Sequence, residues 1–517
     1  MSHTMRIRAL YTFTATAFVA AACGGAPQAS HGPDKVEIPV RGVATAPART
    51  ALPARQSPPD SAASKPSPFP AVARKSLANG IGVAVVEAHA LPLVHVRVLI
   101  GAGMSYGGPG VATLTAAMLK DGGTRSMSAS QLAERVESLG ATLSVDTDFD
   151  RTVLGLAVTK SHLDEALALL GEVIGAPRFD DAELKKLKSR MADEAAEHAR
   201  ASGQWASMRL MFRELYPTTS PYATYDATAG EIAKVSSALV RDFHKKFFVP
   251  KNMTVIVGGD IDVAQATSLV DRHFGSMKGG DAPKLEFAAP LAPPRRRVVL
   301  AARPGSVQSD VFVASLAPER RTSAWPDLRV ANQVLGGGVA SRLFMDVREQ
   351  RSLAYSTRSQ IVELSHGAQP LMAYAGTETK KTAQAAQGIL ENYDRIATQP
   401  IDSAEIASAT RFLSDIFAVR METVGAVADL ITVQTSLGLP DGYWDGYRSA
   451  VRSVDAARAE TAAKALFSSD KTLVIVSGDA DVLAPQLVRF GEVTVVDPQQ
   501  DFKTIKTLAE DKSAPLQ

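Results

Sequence analysis

The sequence predicts an α+β protein made of two homologous two-layer domains, set behind an N-terminal targeting segment and a tether. Three observations predict it. Phe248, Val255-Ile256-Val257, Gly259-Asp260 and Asp262-Val263 recur as Phe467, Val474-Ile475-Val476, Gly478-Asp479 and Asp481-Val482, so Val255 maps to Val474 at an offset of 219 residues. Lys234-Val235-Ser236 and Ser453-Val454-Asp455, which open the preceding helical segments, keep that offset. A constant offset across a helix and the strand after it marks an internal repeat. Each half mixes strand-like and helix-like hydrophobic patterns, which gives two layers around a core. Pro290, Pro293 and Pro294, followed by Arg295-Arg296-Arg297, punctuate the junction. The expected organisation is a signal segment over 1–22, a tether over 23–70, a first domain over 71–284, a linker over 285–295, a second domain over 296–497 and a polar tail over 498–517.

The chain opens with Arg6 and Arg8 before a short apolar run, Ala9 to Ala22, too short to span a bilayer but suited to a signal-peptide core. The run ends in Ala20-Ala21-Ala22-Cys23-Gly24. Small residues leading into a cysteine resemble a bacterial lipoprotein signal. That resemblance implies that Cys23 is lipidated and becomes the first residue of the mature chain. Gly24 rather than Asp after it implies sorting to the outer membrane, so the expected location is periplasmic and lipid-anchored. Cys23 is the one cysteine, so no intrachain disulfide forms. Residues 24–70 carry repeated prolines among Ala, Ser and Arg and little that could pack a core, which predicts a disordered tether. A flexible chain of that length spans roughly 35–40 Å.

In the first half, Gly82–Val86 and Leu93–Ile100 read as strands, the second partly alternating. Asp181–Arg200 reads as a helix capped by Asp180 or Asp181, with Leu184, Leu187, Met191 and Ala195 at helical spacing. Ser237–Phe248 is a second helix, stopped by Pro250. The chain carries 56 Lys+Arg against 54 Asp+Glu, net +2, with no long basic tract, which argues against a nucleic-acid partner.

Gly110-Val111-Ala112-Thr113-Leu114-Thr115-Ala116-Ala117 resembles the zinc helix of the insulinase/pitrilysin metallopeptidases, in which a Gly-x-Ala lead runs into His-x-x-Glu-His. In that helix two histidines share one face and the Glu lies beside the metal-bound water. Thr113, Ala116 and Ala117 stand here at the first His, the Glu and the second His. Glu194 follows Ala117 at the spacing the family uses for its third ligand; read alone, it is an exposed carboxylate on a charged helix. His198 lies one turn on, but two ligands do not make a zinc site. None of the nine histidines belongs to a His-x-x-Glu-His string. The segment reads as a buried apolar helix, with no metal bound by this chain.

The second half carries the positive signal. Leu335-Gly336-Gly337-Gly338-Val339-Ala340-Ser341-Arg342-Leu343-Phe344 leads to Arg348 and, seven residues on, Tyr355. This is similar to the family's second-half signature. The resemblance implies that Arg348 and Tyr355 bind the substrate carbonyl and the developing oxyanion opposite the zinc. A guanidinium and a phenol suit that task as preorganised donors. The residue-level alternatives are Arg348 paired with Asp346 or Glu349, and Tyr355 as a core tyrosine. Gly336, Gly337 and Gly338 are candidates for substrate contact by resemblance and for a tight turn by chemistry; without a following Lys-Ser/Thr they do not read as a phosphate loop. Leu215-Tyr216-Pro217, Ser220-Pro221-Tyr222 and Phe243 to Asn252 follow the family pattern and support the fold, with His244 a packing or surface histidine.

The resemblance covers about residues 71–497. It implies mostly antiparallel sheets with helices on one face, and a non-catalytic subunit like the alpha type of mitochondrial processing peptidase. It also implies a homologous partner subunit with an intact His-x-x-Glu-His motif that holds the zinc, and a peptide substrate. The alternative expectation is a pseudopeptidase that binds peptides or scaffolds an envelope complex.

Overall fold

The computed structural model describes residues 67–516; the signal segment, Cys23 and the tether as far as residue 66 lie outside the described residues. The first half runs β1 (Ala73–Ser76), β2 (Gly82–Glu87), β3 (Leu93–Ile100), α1 (Val111–Asp121), α2 (Ala129–Ser138), β4 (Ser144–Thr147), β5 (Thr152–Thr159), α3 (Leu163–Gly175), α4 (Asp181–Ala201), α5 (Gly203–Leu215), α6 (Ala229–Lys234), α7 (Ser237–Phe247), β6 (Met253–Gly259) and α8 (Val263–Phe274). The second runs β7 (Arg297–Ala302), β8 (Gln308–Ala317), α9 (Trp325–Gly336), a π-helical turn (Phe344–Gln350), β9 (Ser356–Ile361), β10 (Gln369–Glu378), α10 (Thr382–Thr398), α11 (Ser403–Arg420), α12 (Val424–Ser436), α13 (Tyr443–Arg452), α14 (Ala456–Leu466), β11 (Leu473–Gly478), α15 (Ala480–Leu487), β12 (Val493–Asp497) and β13 (Lys503–Leu508).

The repeat read from the sequence is a repeat of topology. The first sheet has the order β1-β2-β6-β3-β5-β4 and the second β13-β12-β7-β11-β8-β10-β9. Five strands correspond one to one, β2-β6-β3-β5-β4 with β7-β11-β8-β10-β9. In each set the first pair is parallel and the rest antiparallel. The predicted helices form for the predicted reasons. Asp180 caps α4 by accepting from the Ala182 and Glu183 amides, and Leu184, Leu187, Met191 and Ala195 form its buried stripe. Ser236 caps α7, which buries Val240, Phe243 and Phe247.

Alternation in β3 explains how the halves are built together. Val94, Val96 and Val98 point into the core made with the half's own helices. His95 and Arg97 point the other way, where a helix from the other half covers them. On that face Val427, Ala428 and Ile431 of α12 pack on Ala84, Val86, Leu99 and Ile256, and Arg97 Nε donates to Asp429 Oδ1 at 2.8 Å. The reciprocal contact places Ala206, Leu210 and Met211 of α5 on Val299, Ala301, Phe312, Ala314 and Ile475 of the second sheet. Each large apolar side chain so buried contributes about 1.5–3 kcal/mol. Each exchanged helix also carries a glycine where the facing sheet offers a polar side chain. A Cβ at Gly425 would lie 2.9 Å from His95 Nδ1, and one at Gly203 would lie 2.0 Å from Asp310 Oδ2.

The outer bounds differ from those read in sequence. The last residues assigned to the tether belong to the fold: Phe69 stacks on Phe417 with ring centroids 6.5 Å apart and lies 6.3 Å from Trp444. The segment read as a polar tail contains β13, which pairs antiparallel with β12 as the sheet edge. Its polar residues fit an edge strand with both faces near water. Among the described residues no helix is long and apolar enough to cross a membrane.

Candidate functional site

The helix with the substituted zinc positions is a packing element. Gly110 enters it at φ +78°, in the left-handed region that favours glycine, and a Cβ there would lie 3.3 Å from the Ala227 methyl. Thr113 and Ala116 are buried at 5% and 4% exposure, and Ala117 packs at the edge of the same core. Glu194 lies on α4 with its side chain 61% exposed, 4.0 Å from Arg190, which also reaches Asp121 at 3.4 Å. These residues do not fit a zinc ion. The two alanines bring no donor atom, and the carboxylate faces a guanidinium. Among the described residues no group of three or more His, Cys, Asp and Glu side chains is arranged to hold a metal.

The second-half segment is held from behind and open in front. Gly336 ends α9 in the core, where a Cβ would lie 2.5 Å from the Ser359 amide nitrogen; its missing side chain lets the helix touch β9. That corrects the expectation of substrate contact at Gly336, because the residue is sealed from solvent. At Gly337 the Cβ position is taken by Gln333, 2.1 Å away, while Gly338 and the 71%-exposed Val339 carry the open part of the turn. Arg342 then makes a two-pronged contact with Glu405 of α11, at 2.8 and 2.7 Å.

The π-helical turn follows from one buried acid. Asp346 accepts from Arg351 Nε at 2.9 Å, Asn392 Nδ2 at 2.7 Å and Arg395 Nη2 at 2.6 Å, while its carbonyl takes the Arg351 amide five residues on. Charge-assisted bonds of this kind fix a backbone that would otherwise wind as an α-helix. On the outer side of the turn, Arg348 lies 3.5 Å from Glu349 and its guanidinium is 4.5 Å from the Phe344 ring centroid. Its pairing is therefore with Glu349, and Asp346 is taken by other donors. Tyr355 is not a core residue: it is 53% exposed, with its amide bonded to Gly376 O at 3.0 Å.

Behind Tyr355 lies a polar cluster that sequence reasoning missed. The Tyr374 hydroxyl donates to Asp310 Oδ1 at 2.9 Å and accepts from Gln204 Nε2 at 3.0 Å. Arg358 of β9 lies 4.0 Å from the Tyr374 ring centroid and donates to Gln204 Oε1 at 3.0 Å. Arg303 Nη1 is 3.5 Å from Asp310 Oδ2. Burial raises the Asp310 carboxyl above the ordinary range, against the opposing pull of the Tyr374 hydrogen bond and the two arginines. Burial also raises the Tyr355 phenol; Asp310 adds to this, and Tyr374 and Arg303 oppose it. The cluster joins β8, β9, β10, the turn after β7 and the exchanged α5, so no local pattern announced it. The one signal available was an acid, Asp310, directly before the apolar run Val311-Phe312-Val313.

Comparison with known proteins agrees with this architecture. Residues 83–215 match the model described as Insulinase (Peptidase family M16), and residues 234–413 match the Peptidase M16 inactive domain. The chain belongs to the insulinase family. Among its relatives is a non-peptidase homologue, YmxG, of Helicobacter pylori, 26% identical over 68% of this chain and 82% of its own length. An uncharacterised zinc protease, YmxG, of Bacillus subtilis is 24% identical over 78% of this chain and 98% of its own. The zinc protease PqqE of Helicobacter pylori is 24% identical over 62% and 73%. The structure of a peptidase M16 inactive domain from Pseudomonas fluorescens superposes with a TM-score of 0.74 at 24% identity, covering 79% of this chain and 98% of that one. That likeness establishes the fold. As an M16 chain, this protein is an inactive-type member, in keeping with the absence of donor atoms at Ala116 and Ala117.

Proposed function

We propose that this M16 chain is the non-catalytic, Arg/Tyr-supplying subunit of a heteromeric zinc metallopeptidase that cleaves peptides in the bacterial envelope, held at the membrane through lipidated Cys23. The observation that carries the reading is the contrast between the two halves. The first keeps the zinc helix as a core element without ligands, while the second holds Arg348 and Tyr355 on a braced, solvent-facing segment. A homologous partner with His-x-x-Glu-His supplies the zinc, the water and the general base. Arg348 and Tyr355 donate to the carbonyl oxygen as it gains charge, which is where fixed donors contribute most. One Helicobacter pylori strain has both a relative named non-peptidase homologue and one named zinc protease, which supports such a division of labour.

The test mixes the purified chain with a zinc-bearing M16 subunit from the same genome and follows peptide hydrolysis with and without chelator. The mixture is active, each chain alone is not, and Tyr355→Phe lowers kcat by about 10²–10³-fold, the loss typical of one oxyanion donor. Full activity of the partner alone, or an unaltered Tyr355→Phe mixture, refutes the supplying role. Inactivity of every mixture together with tight peptide binding by this chain points instead to a scaffold.

A further inference from the structure

We infer that Arg303 and Arg358 form a carboxylate-binding subsite beside Tyr355, which gives this chain a preference for peptides that carry a carboxylate near the bond to be cleaved. The inference rests on the role proposed for Tyr355 for where the peptide lies, and on the geometry of the two arginines for the subsite itself.

The two arginines are short of negative charge. Arg303, in the turn between β7 and β8, has a side chain 16% exposed, and it meets acid through one long contact, Nη1 to Asp310 Oδ2 at 3.5 Å. Among the described residues its Nε has no hydrogen-bond partner. Arg342 is equally buried, yet Glu405 meets it at 2.8 and 2.7 Å. Arg209, 11% exposed, is met by both oxygens of Glu231 at 2.8 Å. Charge-assisted contacts of that length are what a buried guanidinium ordinarily needs, and Arg303 falls short of them. Arg358 of β9 meets no carboxylate directly. It rests on the Tyr374 ring and donates to Gln204 Oε1, both of them neutral groups. Among the described residues Asp310 is the acid that serves both arginines.

One carboxylate therefore faces two guanidinium groups. Burial raises that carboxyl above the ordinary range, which weakens even this offset. The first turn of α5 adds positive field: a Cβ at Gly203 would lie 2.4 Å from Arg303 Nη1 and 2.0 Å from Asp310 Oδ2. Tyr355 lies against the same cluster. A Cβ at Gly376 would lie 2.7 Å from Tyr355 Cζ and 2.6 Å from the Tyr374 hydroxyl oxygen, so the bare backbone of β10 seats the two phenols side by side. The charges of Asp310 and Arg303 both act on the Tyr355 phenol. A peptide whose carbonyl reaches Tyr355 thus brings its neighbouring groups to a cationic edge. A guanidinium is a planar fork that matches a carboxylate, and the match is strongest where water is partly excluded. The carboxylate comes from an Asp or Glu side chain or from the end of the peptide; both present the same two oxygens.

The experiment measures peptide binding to the isolated full chain by fluorescence anisotropy. It uses three dye-labelled forms of one peptide: uncharged with an amidated end, the same with one central Glu, and the uncharged sequence with a free C-terminal carboxylate. The Glu peptide, the free-acid peptide or both bind about 10–100-fold more tightly than the uncharged one, and which of them does so identifies the source of the carboxylate. Arg303→Gln and Arg358→Gln each narrow that gap. A substitution that only distorts the chain weakens all three peptides alike, so the ratio is read rather than the affinity. Equal binding of the three peptides by the wild-type chain, binding of none, or a gap that survives both substitutions overturns the inference. Should neither variant fold, the wild-type comparison decides by itself. No zinc-bearing partner is needed, so the outcomes separate. A carboxylate preference without any turnover in the mixture defeats the proposed function and leaves the subsite standing. Turnover that depends on Tyr355 without such a preference does the reverse.

Discussion

Gly376→Ala tests whether the placement of Tyr355 matters to turnover. The added methyl carbon would lie 2.7 Å from Tyr355 Cζ and 2.6 Å from the Tyr374 hydroxyl oxygen. Carbon atoms pack at about 3.5–4.0 Å, so the Tyr355 ring has to yield by about 1 Å. It is half exposed and can swing outward; Tyr374 is buried and cannot. Displacing an oriented donor by about 1 Å costs on the order of 10²-fold in rate, or roughly 2.7 kcal/mol of transition-state stabilisation. Overpacking against Tyr374 adds about 1–3 kcal/mol of destabilisation. The assay is peptide hydrolysis by the mixture with the zinc-bearing subunit, run beside thermal unfolding of the isolated variant. The expected result is a folded protein whose kcat falls about 10²-fold with KM little changed. Wild-type kcat in Gly376→Ala, while Tyr355→Phe still depresses it, would refute the claim that the glycine seats the phenol.

Two further outcomes follow from groups outside the site. Burial pushes His244 down from 6.5 to about 4, with its Nε2 donating to Ile174 O at 2.8 Å. The folded chain therefore binds fewer protons than the unfolded one between those values; this share of the stability is complete above about pH 6.5 and is lost as the pH falls toward 4. Between about pH 7.5 and 5.5 the loss is about 1 kcal/mol. Urea unfolding of His244→Gln should show a pH slope flatter by that amount; an equal slope contradicts the assignment. Asp150 and Asp310, raised by burial, act with the opposite sign, so the comparison is between variant and wild type rather than in absolute slope. Asp346→Ala strands Arg351, Asn392 and Arg395 and should cost about 3 kcal/mol, at the lower end for broken buried pairs because both arginines are part-exposed. Urea unfolding measures it; a loss below about 1 kcal/mol would show that the turn does not depend on this acid.

Much of the fold was legible because its signals are local. The Asp180 cap and the Leu184-Leu187-Met191 stripe define α4 within one stretch of chain, and the 219-residue offset revealed two halves with one strand order. What stayed hidden is non-local. The partial alternation of β3 was visible, but what covers its second face was not: His95 and Arg97 lie under α12, more than 300 residues away in the chain. Phe69 looked like part of a proline-rich tether because its partners, Phe417 and Trp444, come from the far half. In the site, Arg348 and Tyr355 stood out by spacing along one segment. Asp310, Tyr374 and Gln204 come from three separate elements, with Arg303 from the turn before β8, and meet only in the folded chain. Gly336 misled for a related reason: a glycine needed for helix–strand contact has the same spelling as one needed in a loop.

The exchange of α5 and α12 bears on how the chain comes into being. The first half is synthesised with one face of its sheet bare, since Val427, Ala428 and Ile431, which cover Ala84, Val86, Leu99 and Ile256, emerge much later. Its own α5 is meanwhile left without the sheet it belongs to, until β11 supplies Leu473 and Ile475 near the end of synthesis. Neither half can close before the other exists. A nascent chain in this state carries an open apolar sheet face and a loose amphipathic helix at once, both invitations to aggregate. A holdase, or delayed release from the ribosome or translocation channel, would shelter that interval.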